Sequence, residues 1–291
     1  MVSCKICKSY KTTFYHKIEK YNYYFCPRCL TIFLCHQPNI NETNNYYRNK
    51  FEYSDGRLNE NIMRSRSKII LKNLSKLNRY GKTLLDIGAG LGFFVEEAKK
   101  VGLKVIGIDP SKNFTPNAVL NINFEEFIRL HPQKKFDFIT LIHVIEHVRD
   151  PIIFLHQALT RLNQNGVLYI ETPNLDSHLF RFEGFSYTFL TPPQHLWLFS
   201  IKSFIFITKN WSGFLIKKIA TYSYPQHFMG ILKSILYAKN KTTLPAKNTR
   251  KITVIKSVKT ALFDNLFAKI FYRLLNIGNK GSILELYIKK K

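Results

Sequence analysis

The chain has 291 residues and a mass of 34.2 kDa, enough for one large domain with appendages. Its residues are 45% hydrophobic and 14% aromatic, which excludes an intrinsically disordered chain, a collagen-like repeat and a short disulfide scaffold. Lys and Arg outnumber Asp and Glu by 44 to 19, so the formal net charge is +25. A surface this basic favours anionic partners such as phosphate-bearing substrates, anionic lipid or nucleic acid.

The sequence carries no signal that would place the chain in a membrane or outside the cell. No run of about eighteen uncharged apolar residues occurs. The first thirty residues lack the apolar core of a signal peptide. We therefore expect a cytoplasmic protein, in which the five cysteines stay reduced and favour metal binding over disulfides.

Two cysteine pairs stand near the amino terminus. Eighteen residues separate Cys4-x-x-Cys7 from Cys26-x-x-Cys29, enough for a small hairpin that brings the second pair back to the first. This spacing predicts a structural zinc site in a ribbon-like module over residues 1–35. Isolated buried thiols or a redox pair are the alternatives.

A glycine-rich turn follows a linker and a helix that together occupy residues 36–80. A short apolar strand carries Asp86, and the turn over residues 88–92 leads into a helix. Glycines in such a turn let a ligand approach the backbone at the amino end of the helix. The next apolar strand ends in Asp109, twenty-one residues after Gly88, where a carboxylate can accept hydrogen bonds from both ribose hydroxyls. The dinucleotide fingerprint has its third glycine where this chain has Phe93, which argues against a dehydrogenase.

Together with the segments 108–111, 136–139, 144–151 and 166–174, this turn resembles the class I S-adenosyl-L-methionine-dependent methyltransferases. The similarity is greatest to the branch that includes the ubiquinone-biosynthesis O-methyltransferases and many sugar or glycan methyltransferases. The resemblance implies a Rossmann-like α/β fold, with a doubly wound, mostly parallel seven-stranded sheet and an antiparallel last strand. It places the core at residues 81–224 and that last strand at residues 281–291.

The resemblance also implies which residues bind the cofactor. Asp109 would hold the ribose, Asn123 and Phe124 would flank the adenine, and Ile142 would face the sulfonium. By position, the full set of cofactor contacts is Asp86, Gly88, Gly90, Asp109, Asn123, Phe124, Ile142 and His143.

The segment His143-x-x-Glu146-His147 admits two interpretations. It matches the inverted zincin pattern of metallopeptidases, which needs both histidines on one continuous helix. Asp150-Pro151 predicts instead that a helix begins near residue 151, because Asp is a good cap and Pro a good first residue. The cluster therefore lies in a strand-to-helix loop.

The resemblance matches Glu146 and His147 to a pair that binds a divalent metal in the ubiquinone-type enzymes. The alternative is that these two residues brace the loop.

Three histidines are candidates for the base that removes the proton of the acceptor, since an imidazole titrates near neutrality. They are His147, His195 and His143, with Glu146 beside them in the sequence. The resemblance places His195 over the mouth of the active site; a hydrogen-bonded surface histidine is the alternative.

The carboxyl-terminal third contains a predicted insertion over residues 225–280. Apolar residues between Val258 and Ile277 recur at helical spacing, which predicts an amphipathic helix. Packing on the body of the protein, dimer formation and binding to an anionic membrane surface are all open for this helix.

The expected function is methyl transfer, to oxygen rather than to carbon or nitrogen. The expected acceptor is a small molecule, a sugar, or a lipid-linked glycan or isoprenoid. Two alternatives stay open: an RNA methyltransferase that uses the ribbon as a docking module, and a catalytically silent zinc-containing scaffold.

Overall fold

A computed structural model describes residues 2–39, 42–43, 60–111, 119–224 and 276–291. Residues 225–275 lie outside the described residues. They include most of the predicted insertion over residues 225–280 and nearly all of the predicted amphipathic helix.

The described residues form two β-sheets. The smaller sheet contains β1 (Thr13–Ile18), β2 (Tyr21–Cys26), β3 (Thr31–Leu34) and β9 (Trp197–Leu198). The larger sheet contains β4 (Thr83–Ile87), β5 (Lys104–Ile108), β6 (Val119–Leu120), β7 (Phe136–Ile142), β8 (Leu162–Pro173), β10 (Phe214–Tyr222) and β11 (Ile283–Lys290). The helices are α1 (Glu60–Leu77), α2 (Phe93–Lys100), α3 (Phe124–Leu130), α4 (Pro151–Thr160), α5 (His178–Glu183) and α6 (Ile201–Thr208).

The larger sheet has the strand order β10-β11-β8-β7-β4-β5-β6. The pairs among β4, β5, β6, β7 and β8 are parallel, whereas β11 is antiparallel to both of its neighbours. This topology confirms the predicted Rossmann-like sheet with an antiparallel last strand. The central strands are nearly continuous apolar runs because helices cover both faces.

Each face of the larger sheet has its own apolar core. On one face, Ile70 and Leu74 of α1 and Phe94 of α2 pack against Phe138 and Tyr287. The other face carries the larger cluster, which includes residues of α3, α4 and α6. The carboxyl ends of the parallel strands therefore open between two packed layers, where α/β proteins bind ligands.

The helix predicted near residue 151 begins there. The Asp150 carboxylate accepts hydrogen bonds from the backbone N–H groups of Ile152 and Ile153, and Pro151 is the first helical residue. The preceding residues form a loop with one short turn at Ile145–His147 instead of a continuous helix. This removes the geometry that a metallopeptidase would need.

The four-cysteine module, residues 2–35, is joined to the larger domain by a strand pair. The hairpin β1–β2 lies between the cysteine pairs, as the spacing predicts, and β3 extends the sheet. β3 then pairs with β9, far along the chain, through Ile32 opposite Leu198 and Phe33 opposite Trp197.

None of the helices that the structure describes is long and apolar enough to cross a membrane.

Candidate functional site

The four paired cysteines converge on one buried point. The Sγ atoms of Cys4 and Cys29 are 3.6 Å apart, those of Cys7 and Cys26 are 3.4 Å apart, and all four lie within 4.8 Å of one another. A tetrahedral zinc ion with Zn–S bonds of about 2.3 Å would hold its sulfurs about 3.8 Å apart. The four thiols therefore fit one tetrahedral ion. Cys35 lies outside this cluster.

The glycine turn between β4 and α2 depends on left-handed backbone conformations. Gly88, Gly90 and Gly92 have φ angles of 75°, 51° and 78°. A Cβ atom added to Gly88 would lie only 2.4 Å from Cγ2 of Val144, in the loop that follows β7. The absence of side chains thus lets the loops after β4 and β7 approach each other at the carboxyl edge of the sheet.

Asp109 ties this turn to the loop after β5. One of its carboxylate oxygens accepts a hydrogen bond from the N–H of Gly90, and the other from the N–H of Ser111, both at 2.8 Å. The predicted ribose-binding residue is therefore buried beside the glycine turn.

Asp86 is a buried carboxyl group at the same edge. The hydroxyl of Thr140 donates a hydrogen bond to its Oδ1 at 2.6 Å. Burial raises the pKa of Asp86 to about 7; the Thr140 bond opposes that effect and the charge of Asp109 adds to it. Among the described residues, no cationic side chain forms an ion pair with Asp86. A bound cation would stabilise its ionised form.

The two predicted adenine-flanking residues begin α3. The side chain of Asn123 accepts a hydrogen bond from the N–H of Glu126 at 2.7 Å and caps the helix. Phe124 is buried, with its ring centroid 5.1 Å from that of Phe154. Both residues hold the start of α3 in place near the end of β6.

His143 lies between two carboxylates. Its backbone is left-handed, its Nδ1 is 3.1 Å from Glu146, and its Nε2 is 3.5 Å from Glu171. Burial disfavours the imidazolium, but the hydrogen bonds to Glu146 and Glu171 prevail and raise the pKa of His143 to about 10. Burial likewise opposes ionisation of the two carboxyls, yet His143 and its neighbours lower the pKa of each to about 2. His143 is therefore an imidazolium at neutral pH and has no lone pair with which to accept a proton.

His147 and His195 are held in one tautomer each. Nδ1 of His147 is 3.0 Å from the carbonyl oxygen of Gln194, and Nδ1 of His195 is 2.6 Å from that of Phe189. Because a carbonyl oxygen only accepts, each Nδ1 carries the proton and each Nε2 is the basic nitrogen. Burial lowers the pKa of both histidines, that of His195 to about 3. Their ring centroids are 4.8 Å apart.

Glu146 lies in the loop between β7 and α4, near two histidines. Ligand atoms of Glu146, His147 and His195 lie within 4.8 Å of one another. Both Glu146 oxygens are already engaged, however, because one meets His143 and the other accepts the hydroxyl of Thr172 at 2.9 Å. The positive charge next to the Glu146 carboxylate is therefore the His143 imidazolium, which belongs to the chain itself.

Sequence reasoning missed a polar cluster that α1 completes. Arg66 lies 3.5 Å from Glu171, pairs with Glu285, and places its guanidinium carbon 3.8 Å from the ring centroid of Tyr222. The hydroxyls of Tyr222 and Tyr169 each donate to Glu171 at 2.5 Å. The available signal was two glutamates, residues 171 and 285, inside otherwise apolar strands. These residues join the His143 cluster to the neighbouring strands β10 and β11.

A parallel sheet with a glycine turn and carboxylates at the ends of adjacent strands defines an α/β protein that binds a nucleotide-like cofactor. Residues 58–210, more than half of the chain, match the family model described as a methyltransferase domain, and the chain belongs to this family.

Curated relatives match a shorter part of the chain. The ubiquinone biosynthesis O-methyltransferase of Bradyrhizobium diazoefficiens is 31% identical over 113 residues, which cover 35% of this chain and 45% of that protein. The enzyme of the same name from Pelagibacter ubique is 35% identical over 115 residues, which cover 36% and 48%. The chain thus spans about half the length of the curated relatives it matches.

Solved structures share the fold. The plantazolicin methyltransferase BpumL, in complex with a monoazolic desmethylPZN analog and SAH, superposes with a TM-score of 0.52 at 17% identity, over 87% of this chain and 91% of its own. BamL, in complex with a triazolic analog and SAH, gives 0.52 at 16% identity, over 85% and 94%.

Proposed function

We propose that the chain is an S-adenosylmethionine-dependent methyltransferase that transfers a methyl group to a hydroxyl oxygen of a small-molecule acceptor. The observation that carries the proposal is the pair Asp86 and Asp109, at the ends of neighbouring strands beside the left-handed glycine turn. Asp86 offers a buried negative charge for the ammonium and sulfonium part of the cofactor, and Asp109 offers acceptors for the ribose. Family membership and the relatives named as O-methyltransferases support this assignment.

The cofactor supplies an electrophilic methyl group, so the protein has to orient the acceptor and remove its proton. His147 and His195 have the tautomer that this requires, with a basic Nε2. We assign proton removal to His147, because burial lowers the pKa of His195 to about 3 and makes it the weaker base; His195 packs beside His147. His143 serves instead as a fixed imidazolium that holds Glu146 and Glu171 in place.

The charges near His143 limit the acceptor. Arg66 and His143 carry two positive charges, against three negative charges on Glu146, Glu171 and Glu285. The net charge of these five side chains is therefore negative, which disfavours an anionic reacting group beside them. We therefore propose an acceptor with a neutral hydroxyl at the reacting end, as in a sugar, a lipid-linked glycan or an isoprenoid.

Transfer of a radiolabelled methyl group from S-adenosylmethionine into fractionated cell extract tests the function. We expect the label in a small-molecule or lipid fraction. Label in RNA, together with RNA binding that weakens steeply as the salt concentration rises, would favour the RNA alternative instead. Calorimetry that detects no binding at millimolar S-adenosylmethionine would favour the silent scaffold.

Cofactor affinity should depend on pH through Asp86. The pKa of Asp86 is raised to about 7, so the group is mostly protonated below that pH and ionised above it. Affinity should therefore increase as the pH rises from about 5.5 to 7.5, by up to about tenfold per unit below the pKa. Asp86→Asn should bind more weakly and lose this pH dependence. Calorimetry across the range measures both, and a flat affinity profile for the unaltered protein would contradict the role of Asp86.

The four-cysteine cluster should hold a structural zinc ion. Metal analysis of purified protein should find about one zinc ion per chain. Cys26→Ser removes one of the four ligands and should lose the metal, whereas Cys35→Ser, outside the cluster, should keep it. Equal zinc content in the two variants would count against the site.

A further inference from the structure

The segment that carries His195 is hydrogen bonded to the four-cysteine module. Tyr23, fully buried on β2 between the two cysteine pairs, donates its hydroxyl to the carbonyl oxygen of His195 at 2.7 Å. The N–H of Leu34 donates to the carbonyl of Leu196 at 2.9 Å, and the N–H of Leu196 donates to the carbonyl of Glu146 at 2.8 Å. A continuous chain of backbone bonds thus runs from β3 to the loop after β7.

The other side of β9 is anchored to the module as well. The hydroxyl of Ser203, at the start of α6, lies 3.1 Å from the carbonyl of Cys29 and accepts a hydrogen bond from Thr31 at 2.9 Å. On β9 itself, Trp197 packs with its ring centroid 5.8 Å from that of Phe33 and donates its indole N–H to Val148 at 2.8 Å. The four-cysteine module is therefore hydrogen bonded to His195, which precedes β9 in the sequence, and to Ser203, which follows it.

The cofactor half of the site is held by different contacts. Asp86 is fixed by Thr140, and the N–H of Gly88 donates to the carbonyl of Ile108 at 2.8 Å. These supports come from β5 and β7 of the larger sheet. A loss of the β3–β9 pairing would therefore displace the His195 segment without removing the contacts that form the glycine turn.

We propose that the four-cysteine module is a positioning element of the methyl-transfer site, in which Tyr23 and strand β3 hold His195 against the loop of Glu146 and His147. This inference rests on the proposed function and deepens it, because it gives the module a task within turnover rather than in docking a macromolecule. Tyr23 is a positioning residue that acts through His195. The module should then affect the maximal rate of transfer and leave cofactor binding unchanged.

Tyr23→Phe tests the role of the hydroxyl, with Tyr24→Phe as the matched control. Tyr24 is the next residue on β2, and its ring packs against Phe14 and Phe33. In the methyl-transfer assay with an active extract fraction, Tyr23→Phe should lower the maximal rate about tenfold while the KM for S-adenosylmethionine stays within about twofold. Tyr24→Phe should match the unaltered protein in both quantities. Equal rates for the two variants, or a parallel loss of cofactor affinity in Tyr23→Phe, would overturn the proposal.

A second measurement separates this inference from the proposed function. The chain has two tryptophans, and Trp211→Phe leaves Trp197 of β9 as the sole reporter. Removal of zinc with a chelator should shift the emission of Trp197 to the red and speed amide exchange at Leu196, while calorimetry should still detect S-adenosylmethionine binding. Unchanged emission and exchange after zinc removal would overturn the positioning role. Absence of methyl transfer by the unaltered protein would instead overturn the proposed function.

Discussion

Asp109→Asn should weaken binding of S-adenosylmethionine by about ten- to a hundredfold, the range expected for losing hydrogen bonds to a charged group. The substitution keeps the size of the side chain and one carbonyl oxygen, which can still accept from Gly90 or Ser111. It removes the negative charge and replaces one acceptor oxygen with an N–H donor, which weakens the acceptor for the ribose hydroxyls and breaks the bond to Gly90 or to Ser111. Calorimetric titration with the cofactor measures the change directly.

Asp137→Asn is the matched control for this variant. Asp137, at the opposite end of the sheet, also accepts hydrogen bonds from backbone N–H groups, those of Lys82 and Thr83. The Asp137→Asn substitution should lower the free energy of unfolding without changing the affinity for the cofactor. If both variants bound the cofactor as tightly as the unaltered protein, the ribose-binding role assigned to Asp109 would be wrong.

Arg66→Met should lower the free energy of unfolding at neutral pH by about 3–5 kcal/mol, the usual cost of removing one partner from a buried ion pair. The substitution leaves Glu171 and Glu285 buried without their guanidinium partner and removes the contact with the Tyr222 ring. Urea unfolding, followed by circular dichroism, gives the difference.

Arg129→Met, on α3, is the control. Arg129 lies 3.9 Å from Glu126, and the two side chains are 74% and 42% exposed, so its loss should cost about 1 kcal/mol or less. If both variants lost a similar free energy of unfolding, the buried cluster around Arg66 would contribute no more to stability than an exposed ion pair.

The pH dependence of the Arg66→Met defect has a definite sign. In the unaltered protein, the pKa of Glu171 is held at about 2, so its contribution to stability persists until the pH falls well below 4. Without Arg66, one of the positive charges that lower the pKa of Glu171 is lost, while the stronger effect of the His143 contacts remains. The pKa of Glu171 in the folded variant should therefore lie above that in the unaltered protein. The stability difference between the two proteins should stay constant from pH 7 to about 5 and narrow as the pH falls below about 4, where the variant takes up a proton first.

Local sequence signals were sufficient for the elements that form the proposed cofactor half of the site. The glycine turn and Asp109 directly follow short apolar runs, and Asp86 lies near the end of the first run. Flanking glycines and β-branched residues favour strands for both runs, which form β4 and β5. Asp150-Pro151 marks the start of α4 by capping chemistry alone. The cysteine spacing likewise predicted a hairpin between the pairs, which is the β1–β2 pair.

Contacts between distant segments were not predictable in this way. β9 has only two residues, and nothing in Trp197–Leu198 indicates that β3 is its partner. Arg66 meets Glu285 across more than two hundred residues because α1 packs on the face of the sheet that β11 completes. Both contacts depend on how the layers stack, and hydrophobic periodicity does not encode that arrangement.

The pairing of β10 with β11 has a consequence for how this protein can diversify. Tyr222 lies opposite Ile283, so the chain leaves the sheet and re-enters it at neighbouring positions, beside Tyr224 and Glu171. The length between these two points can change at the small entropic cost of closing a longer loop, and the strand register stays the same. Insertions or deletions in this stretch are therefore compatible with the same strand register and the same glycine turn.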